Sequence, residues 1–353
     1  MKKLSILLLI SALTVHIPAG SQTTPAGSDR FSLLTMPFNQ RPLNLYKGQL
    51  QLNAGYKFAV MSRQFDSDGD LVILKDIGIA SVYHYYMLEL KYGVTRFLEI
   101  SASTDYLKRG IRSQSVTYMS TAEIISVNNL EEEKGMGDIL LLASLRPPME
   151  YRWFDLAIGG GIYLPSAKYE PEKPDHNITD VVSSTAFTVN YHYRNRIGYG
   201  VPVLLFSPSA KLTWSKLSVE ASLVLRDPVK EGENIRWNET LTASRTFNYS
   251  SSPYKYLLNR TTDICASVHY QAAGWFDLEI GIDWFRSAGG WTEYWGNKYR
   301  NPARSIFTIE PSFEIQISPS LRIWQTAGFP VKGENSYAPF FLFTTVSYNL
   351  IPF

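Results

Sequence analysis

FFLFTTVSYNLIPF, residues Phe340–Phe353, closes the chain. A terminal strand rich in aromatics and ending in phenylalanine is the signature that the barrel assembly machinery reads at the C-terminus of an outer-membrane β-barrel. Pro352 disturbs the pattern, because the apolar set Leu342, Val346, Tyr348, Leu350 lies one residue out of phase with Phe353. The other end of the sequence agrees with export. Lys2 and Lys3 precede the apolar stretch Leu4–Val15 and the small residues Ala19-Gly20-Ser21, so residues 1–21 read as a secretory signal peptide.

Without that signal, 332 residues remain, with 32 basic and 32 acidic side chains. A formal balance of this kind argues against a nucleic-acid partner, which needs a basic face to offset phosphate. Aromatics make up 14% of the chain, including 22 Tyr and 8 Trp, a loading that suits a barrel with an aromatic girdle at each membrane interface. No apolar run of about 18 residues follows the signal, so a spanning helix is excluded. A membrane-spanning chain without helices must satisfy its backbone as a closed barrel. Cys265, the sole cysteine, reads as a small packed residue, and no cofactor is implied.

Period-two alternation organises what lies between. In Phe97–Tyr106 the set Leu98, Ile100, Ala102, Thr104, Tyr106 alternates with Glu99, Ser101, Ser103, Asp105. Leu217–Arg226, Phe276–Trp284 and Phe307–Ile317 repeat the pattern, and Gln49–Met61, Ile77–Tyr92, Ile139–Arg146, Phe154–Leu164, Val203–Trp214, Thr262–Gln271 and Leu321–Val331 fit it. In a barrel the apolar set faces lipid and the polar set faces the lumen. Short turns near Gly93, Pro147, Ser215, Ala273 and Pro319 alternate with long polar loops at 62–76, 109–135, 167–200, 227–260 and 287–303, and a shorter one at 332–339. That asymmetry is the one expected of outer-membrane barrels. The expectation is an all-β, transmembrane, antiparallel up-and-down barrel of about twelve strands over 48–353, or fourteen if Ala186–Tyr193 adds a pair. Residues 22–47, broken by Pro25, Pro37 and Pro42, read as an irregular segment lying in the periplasm or folded back as a partial plug.

Gly135-Met136-Gly137-Asp138-Ile139-Leu140-Leu141, followed by Ala143-Ser144-Leu145-Arg146, resembles a Gly-Asp-led strand ending in arginine. With Gly159-Gly160-Gly161-Ile162-Tyr163-Leu164-Pro165-Ser166 and the turn Tyr92–Ile100, it is similar to the meta-pathway phenol-degradation family of outer-membrane barrels, relatives of the long-chain fatty-acid transporters. The resemblance covers about 90–225. It implies passive uptake of small apolar or aromatic solutes, with membrane lipid around the barrel. The Asn-Pro-Ala sequence that fatty-acid transporters use in their plug is missing near the N-terminus.

Candidate lumen-lining charges, by phase, are Glu99, Asp105, Arg146, Glu220, Arg226, Asp277, Glu279, Asp283, Glu310 and Glu314. They read either as a salt-bridged filling that stiffens the barrel or as a charged constriction. Asp66-Ser67-Asp68-Gly69-Asp70 has calcium-loop spacing, but Ile77 occupies the twelfth position where glutamate is needed, so a solvated turn is expected. His84, His176, His192 and His269 raise the question of a hydrolase. Asp263 and His269 lie six residues apart, about 20 Å along one strand, and no Gly-x-Ser-x-Gly elbow occurs, so an enzyme is not expected. Trp291, Trp295, Tyr254 and Tyr256 read as outer girdle or ligand-facing aromatics. A filled barrel whose long loops bind a partner is the alternative function.

Overall fold

In a computed structural model of the chain, the alternating segments become a closed ring of strands. The structure describes residues 43–73, 81–119, 123–148, 153–167, 178–183, 186–191, 198–241, 247–294 and 297–350. Twelve strands form the wall: β1 (Leu50–Met61), β2 (Ser81–Gly93), β3 (Leu98–Met119), β4 (Ile139–Leu145), β5 (Phe154–Leu164), β6 (Val203–Trp214), β7 (Leu217–Pro228), β8 (Thr261–Ala273), β9 (Phe276–Ser287), β10 (Arg304–Gln316), β11 (Leu321–Glu334) and β12 (Phe340–Leu350). Each pairs antiparallel with its sequence neighbour. The ring closes where β1 meets β12, from Leu50 opposite Leu350 to Val60 opposite Phe340. Closure removes both sheet edges, which is what lets strands lie in lipid.

The two faces of the wall differ as the alternation requires. Outward residues such as Leu88, Leu90, Ile100, Leu145, Ile158, Phe206, Ile280 and Leu342 are exposed, Ile280 to 63%. An apolar belt of this extent is far larger than a water-soluble monomer tolerates. Trp153, Trp214, Tyr270, Trp275 and Tyr348 cluster at the short-turn end of that belt and are also exposed, as a membrane-interface girdle should be. Inward residues are buried and largely polar, among them Asn53, Lys57, Glu89, Lys91, Ser207, Lys211 and Ser312.

Several segments depart from the sequence expectation: 227–260, 287–303 and 62–76, expected as loops, carry strands outside the wall, and two further departures bear on the strand count. Residues 109–135, expected as a loop, are mostly strand. β3 continues to Met119, and Glu123–Met136 returns along it, pairing from Tyr118–Glu123 to Tyr106–Met136. The apolar alternation that marks a wall strand is lost there, while β-formers such as Val116, Thr117 and Tyr118 remain in the sequence. Ala186–Tyr191 is a strand, but it pairs with Gln114–Met119 of that extension and with Ile178–Ser183, not with the wall. The barrel therefore has twelve strands and not fourteen.

Smaller sheets cap the outer end. Gly232–Leu241, Phe247–Leu257, Trp291–Tyr294 and Asn297–Arg300 form a four-stranded sheet. Trp291 belongs to it, with the Lys298 ammonium 4.2 Å from its ring centre; Trp295 lies outside the described residues. Asp66 organises a tight turn between Arg63–Phe65 and Leu71–Ile73, its carboxylate accepting the Asp68 and Asp70 amides at 2.9 Å each.

Candidate functional site: a polar lumen beside an interrupted wall

The ten charges singled out in the sequence all face the interior, and most meet a counter-group. Arg146 donates to Asp155 at 2.6 Å, Arg226 to Asp263, and Arg322 lies 3.8 Å from Glu314. Glu99 accepts the Leu45 amide at 2.7 Å, and Asp283 accepts from the Cys265 thiol at 3.3 Å. Asp105, Asp277, Glu279 and Glu310 are buried on the same inner face, and Glu220 lies 4.0 Å from His269. Ion pairs stand at both levels, Arg146–Asp155 and Arg322–Glu314 towards the short-turn end and Arg226–Asp263 towards the outer end. Asp277, Glu279, Asp283, Glu310 and Glu314 lie together on the paired strands β9 and β10. Asp155, Lys57 and Lys211, three buried partners in this network, were passed over in the sequence although each holds the inward phase of its strand.

One pair has the look of catalytic machinery. The Ser267 hydroxyl lies 2.8 Å from His269 Nε2. Glu279 and Glu220 sit 3.7 and 4.0 Å from that same nitrogen. A relay requires acid and hydroxyl on opposite ring nitrogens, and here they crowd one. Asp263 is engaged by Arg226. His84 faces outward, where its Nδ1 meets the Tyr56 hydroxyl at 2.8 Å; His176 and His192 lie outside the described residues.

The outer half of the wall is interrupted between β4 and the hairpin above it. Glu123–Met136 and β4 are two parts of one descending strand, split at Gly137-Asp138. Below the split, β4 pairs with both β3 and β5. Above it, Glu123–Met136 pairs with β3 alone among the described residues. β5 ends at Leu164, and the chain that would continue the wall turns inward instead. Ala167 lies buried in a cluster with Tyr83, Tyr85 and Leu107, inward residues of β2 and β3.

Two short side chains and two glycines hold this geometry. The Ser166 hydroxyl accepts the Ile139 amide at 3.0 Å and donates to the Gly137 carbonyl at 3.1 Å, replacing the missing ladder. The Asp138 carboxylate, buried to 5% exposure, accepts the Ala167 amide at 3.1 Å and the Tyr199 amide at 2.6 Å. It thereby ties both ends of the β5–β6 connection to the split. Gly137 is required because a Cβ there would sit 2.3 Å from the Asp105 carboxylate; Gly198 is required by its φ of +83° and by a Cβ that would meet Asp138 at 2.7 Å. The Gly-Asp and Leu-Pro-Ser pieces noticed separately in the sequence are therefore one structure.

Beside the buried Asp105 and Asp138 at the split the interior carries apolar clusters. Leu140, Leu142, Leu205 and Val224 form one cluster with Tyr163 against it, and Val201 and Val203 continue it towards Tyr199 and Leu258. Outside the wall at the same level, Ile139, Leu164 and Leu204 are exposed. Apolar surface thus lies on both sides of the interruption.

At the short-turn end the chain before β1 enters the mouth of the lumen. The Leu43 amide donates to Asp155 at 2.9 Å, and the Asn44 side chain donates to the Ser144 carbonyl at 2.9 Å and accepts from the Ser144 hydroxyl at 2.9 Å. Burial pushes the Tyr46 phenol up to about 12, partly opposed by Arg146. The remainder of the segment read as a possible plug, residues 22–42, lies outside the described residues, as does the signal peptide.

Neither a family profile nor a curated protein matches the sequence. Solved structures do match the fold. An outer membrane channel from Pseudomonas putida F1 superposes with a TM-score of 0.57 at 13% identity, covering 87% of this chain and 97% of that one. A deletion mutant of the TodX monoaromatic hydrocarbon channel gives 0.51 at 7% identity, over 88% and 91% of the two chains. At these identities the likeness is one of fold, a transmembrane barrel of the outer-membrane type.

Proposed function

We propose that this protein is an outer-membrane channel that passes small hydrophobic or aromatic solutes passively, without catalysis, from the outer mouth through the apolar chamber and the interrupted wall. The observation that carries the reading is the break in strand pairing at Gly137-Asp138, with apolar residues on both of its sides. An apolar molecule can move along such a path without desolvating the buried charges of the lower lumen, each of which is costly to leave unpaired. The Arg146–Asp155 and Arg322–Glu314 pairs lie towards the short-turn end, so the straight route crosses buried charge and is the less favourable one for such a solute. The name of the TodX-type channel, a monoaromatic hydrocarbon channel, and the family resemblance both support this solute class. A filled barrel with loops that bind a partner would need no such break.

The test is uptake of labelled toluene, laurate and glucose into vesicles whose outer leaflet is lipopolysaccharide, with and without the barrel. Protein-dependent uptake of toluene or laurate but not glucose is expected. Equal passage of all three would make the protein a general pore, and none, from protein shown to be folded, would refute passage.

A further inference from the structure

On the outside of the wall, beside the break, the lipid-facing surface turns basic. Lys108 of β3 stands directly opposite Lys134 of the returning strand and, on its other side, directly opposite His84 of β2. Directly paired residues point to the same face of a sheet, and all three hold the outward phase set by Ile100 on β3 and Leu88 and Leu90 on β2. They form a row across three adjacent strands, about 10 Å long at the ~4.8 Å spacing of strands. Lys134 is exposed, and Lys108 and His84 are half-buried. Phe58, opposite His84, and Leu342, opposite Phe58, continue the row in apolar residues.

Height decides what this row meets. His84 stands about eight residues up β2 from Tyr92, which lies at the level of the short-turn girdle. At about 3.3 Å per residue and a strand tilt of about 40°, the rise is roughly 20 Å. The apolar band of an outer-membrane barrel is about 25 Å tall. The row therefore lies near the outer edge of the band, at the depth of the outer-leaflet head groups. Just below it Tyr56 and Tyr86 face outward, their rings 5.2 Å apart. The Tyr56 hydroxyl meets His84 Nδ1 at 2.8 Å, which fixes the imidazole and leaves Nε2 as its second polar atom.

Two lysines directly opposite each other repel. Lys108 has a contact of its own within the protein, and Glu132 precedes Lys134 by two residues in the same phase. One acid does not balance two ammonium groups, and an ammonium carries three donors, so a first partner leaves others for a ligand. From the row, its depth and its apolar surroundings we infer a binding site for the phosphorylated head group of lipid A, the anchor of outer-leaflet lipopolysaccharide. Phosphate oxygens accept from the Lys108 and Lys134 ammonium groups, and a sugar hydroxyl meets His84 Nε2. The acyl chains run down over Met136, Ile139 and Leu141, all exposed on the outer surface beside the wall break. Charge complementarity selects the head, and the continuous apolar belt receives the chains. The site depends on the barrel's place in the outer membrane and not on the passage of any solute.

The experiment is native mass spectrometry of the refolded barrel released from nonionic micelles, each variant first shown to be folded by its heat-dependent shift on a gel. Bis-phosphorylated lipid A, its fully dephosphorylated form and phosphatidylglycerol are supplied at equal concentration. Wild type should retain one lipid A at least tenfold more than either other lipid, since hydrogen bonds between charged groups are the stronger kind. Lys134→Gln should lower that retention severalfold, and Lys108→Gln with Lys134→Gln about tenfold. Lys332→Gln, at an exposed position opposite Phe307 on β11, should leave it unchanged. Equal retention of dephosphorylated lipid A overturns the phosphate contact, and equal retention of phosphatidylglycerol overturns the choice of lipid A. Displacement by millimolar inorganic phosphate would make the row a free-anion site and overturn it too, as would wild-type retention in the double variant. Toluene uptake into vesicles is read separately, so lipid A retention without uptake would sink the transport reading alone, and uptake without retention would sink this site alone.

Discussion

Asp138→Ala is the sharpest perturbation of the split wall. Its carboxylate accepts the amides of Ala167 and Tyr199 at 3.1 and 2.6 Å from a site only 5% exposed. Hydrogen bonds to a charged group contribute about 1.5–3 kcal/mol each. Losing both, and leaving two amides without an acceptor, should raise the free energy of the closed local state by about 3 kcal/mol even at the low end. At ~1.4 kcal/mol per factor of ten, the two amides should exchange with solvent about a hundredfold faster. Asp138→Asn keeps one acceptor oxygen and can serve one amide, so it should fall near tenfold. The assay is hydrogen–deuterium exchange with mass spectrometry on the refolded barrel, following overlapping peptides that contain Ala167 or Tyr199 at least two residues from their N-termini. Peptides from the β1–β12 seam serve as the internal reference and should not change. If Ala167 and Tyr199 exchange at wild-type rates in Asp138→Ala, the clamp is not what holds the connection inward, and the account of the wall break fails with it.

Ile280 sits mid-strand on the outer face at 63% exposure. Ile280→Arg should cost ~2–4 kcal/mol, the cost of a cation near the bilayer midplane, read from denaturant unfolding in lipid vesicles; a neutral result would mean that face meets water. Arg226→Met should cost ~3–5 kcal/mol by stranding Asp263 in the interior, whereas Arg226→Met with Asp263→Leu should recover most of it. A double variant as unstable as the single one would show that the pair contributes more than mutual compensation.

Much of this architecture is legible in the sequence because lipid and lumen impose opposite chemistry on alternate residues. Val203–Trp214 was delimited to the residue, and the inward acids of β9 and β10 could be named from phase alone. The reading weakens where the two environments become the same. The stretch 109–135 carries no apolar alternation, so its strands read as loop. The Asp138 clamp was invisible for a different reason. Its acceptors' partners are backbone amides 29 and 61 residues further along, and an amide leaves no mark in the sequence. Gly137 and Ser166 were noticed as motif residues, but nothing in their spacing says that they meet. Prolines made the segment before β1 look irregular, which it is, while the contacts of Leu43 and Asn44 with β4 and β5 depend on where an irregular chain is led.

The ladders around the ring are unequal, and that has a mechanical meaning. The joint between the chain's two ends runs without a break from Leu50–Leu350 to Val60–Phe340, whereas β4 is held to β5 only from Ile139–Leu164 to Leu145–Ile158. Under lateral tension, or pulled by a force probe, the ring should therefore part first beside β4 while the joint between the two ends holds. A barrel built this way yields at a chosen stave, and the stave it yields at is the one next to its apolar chamber.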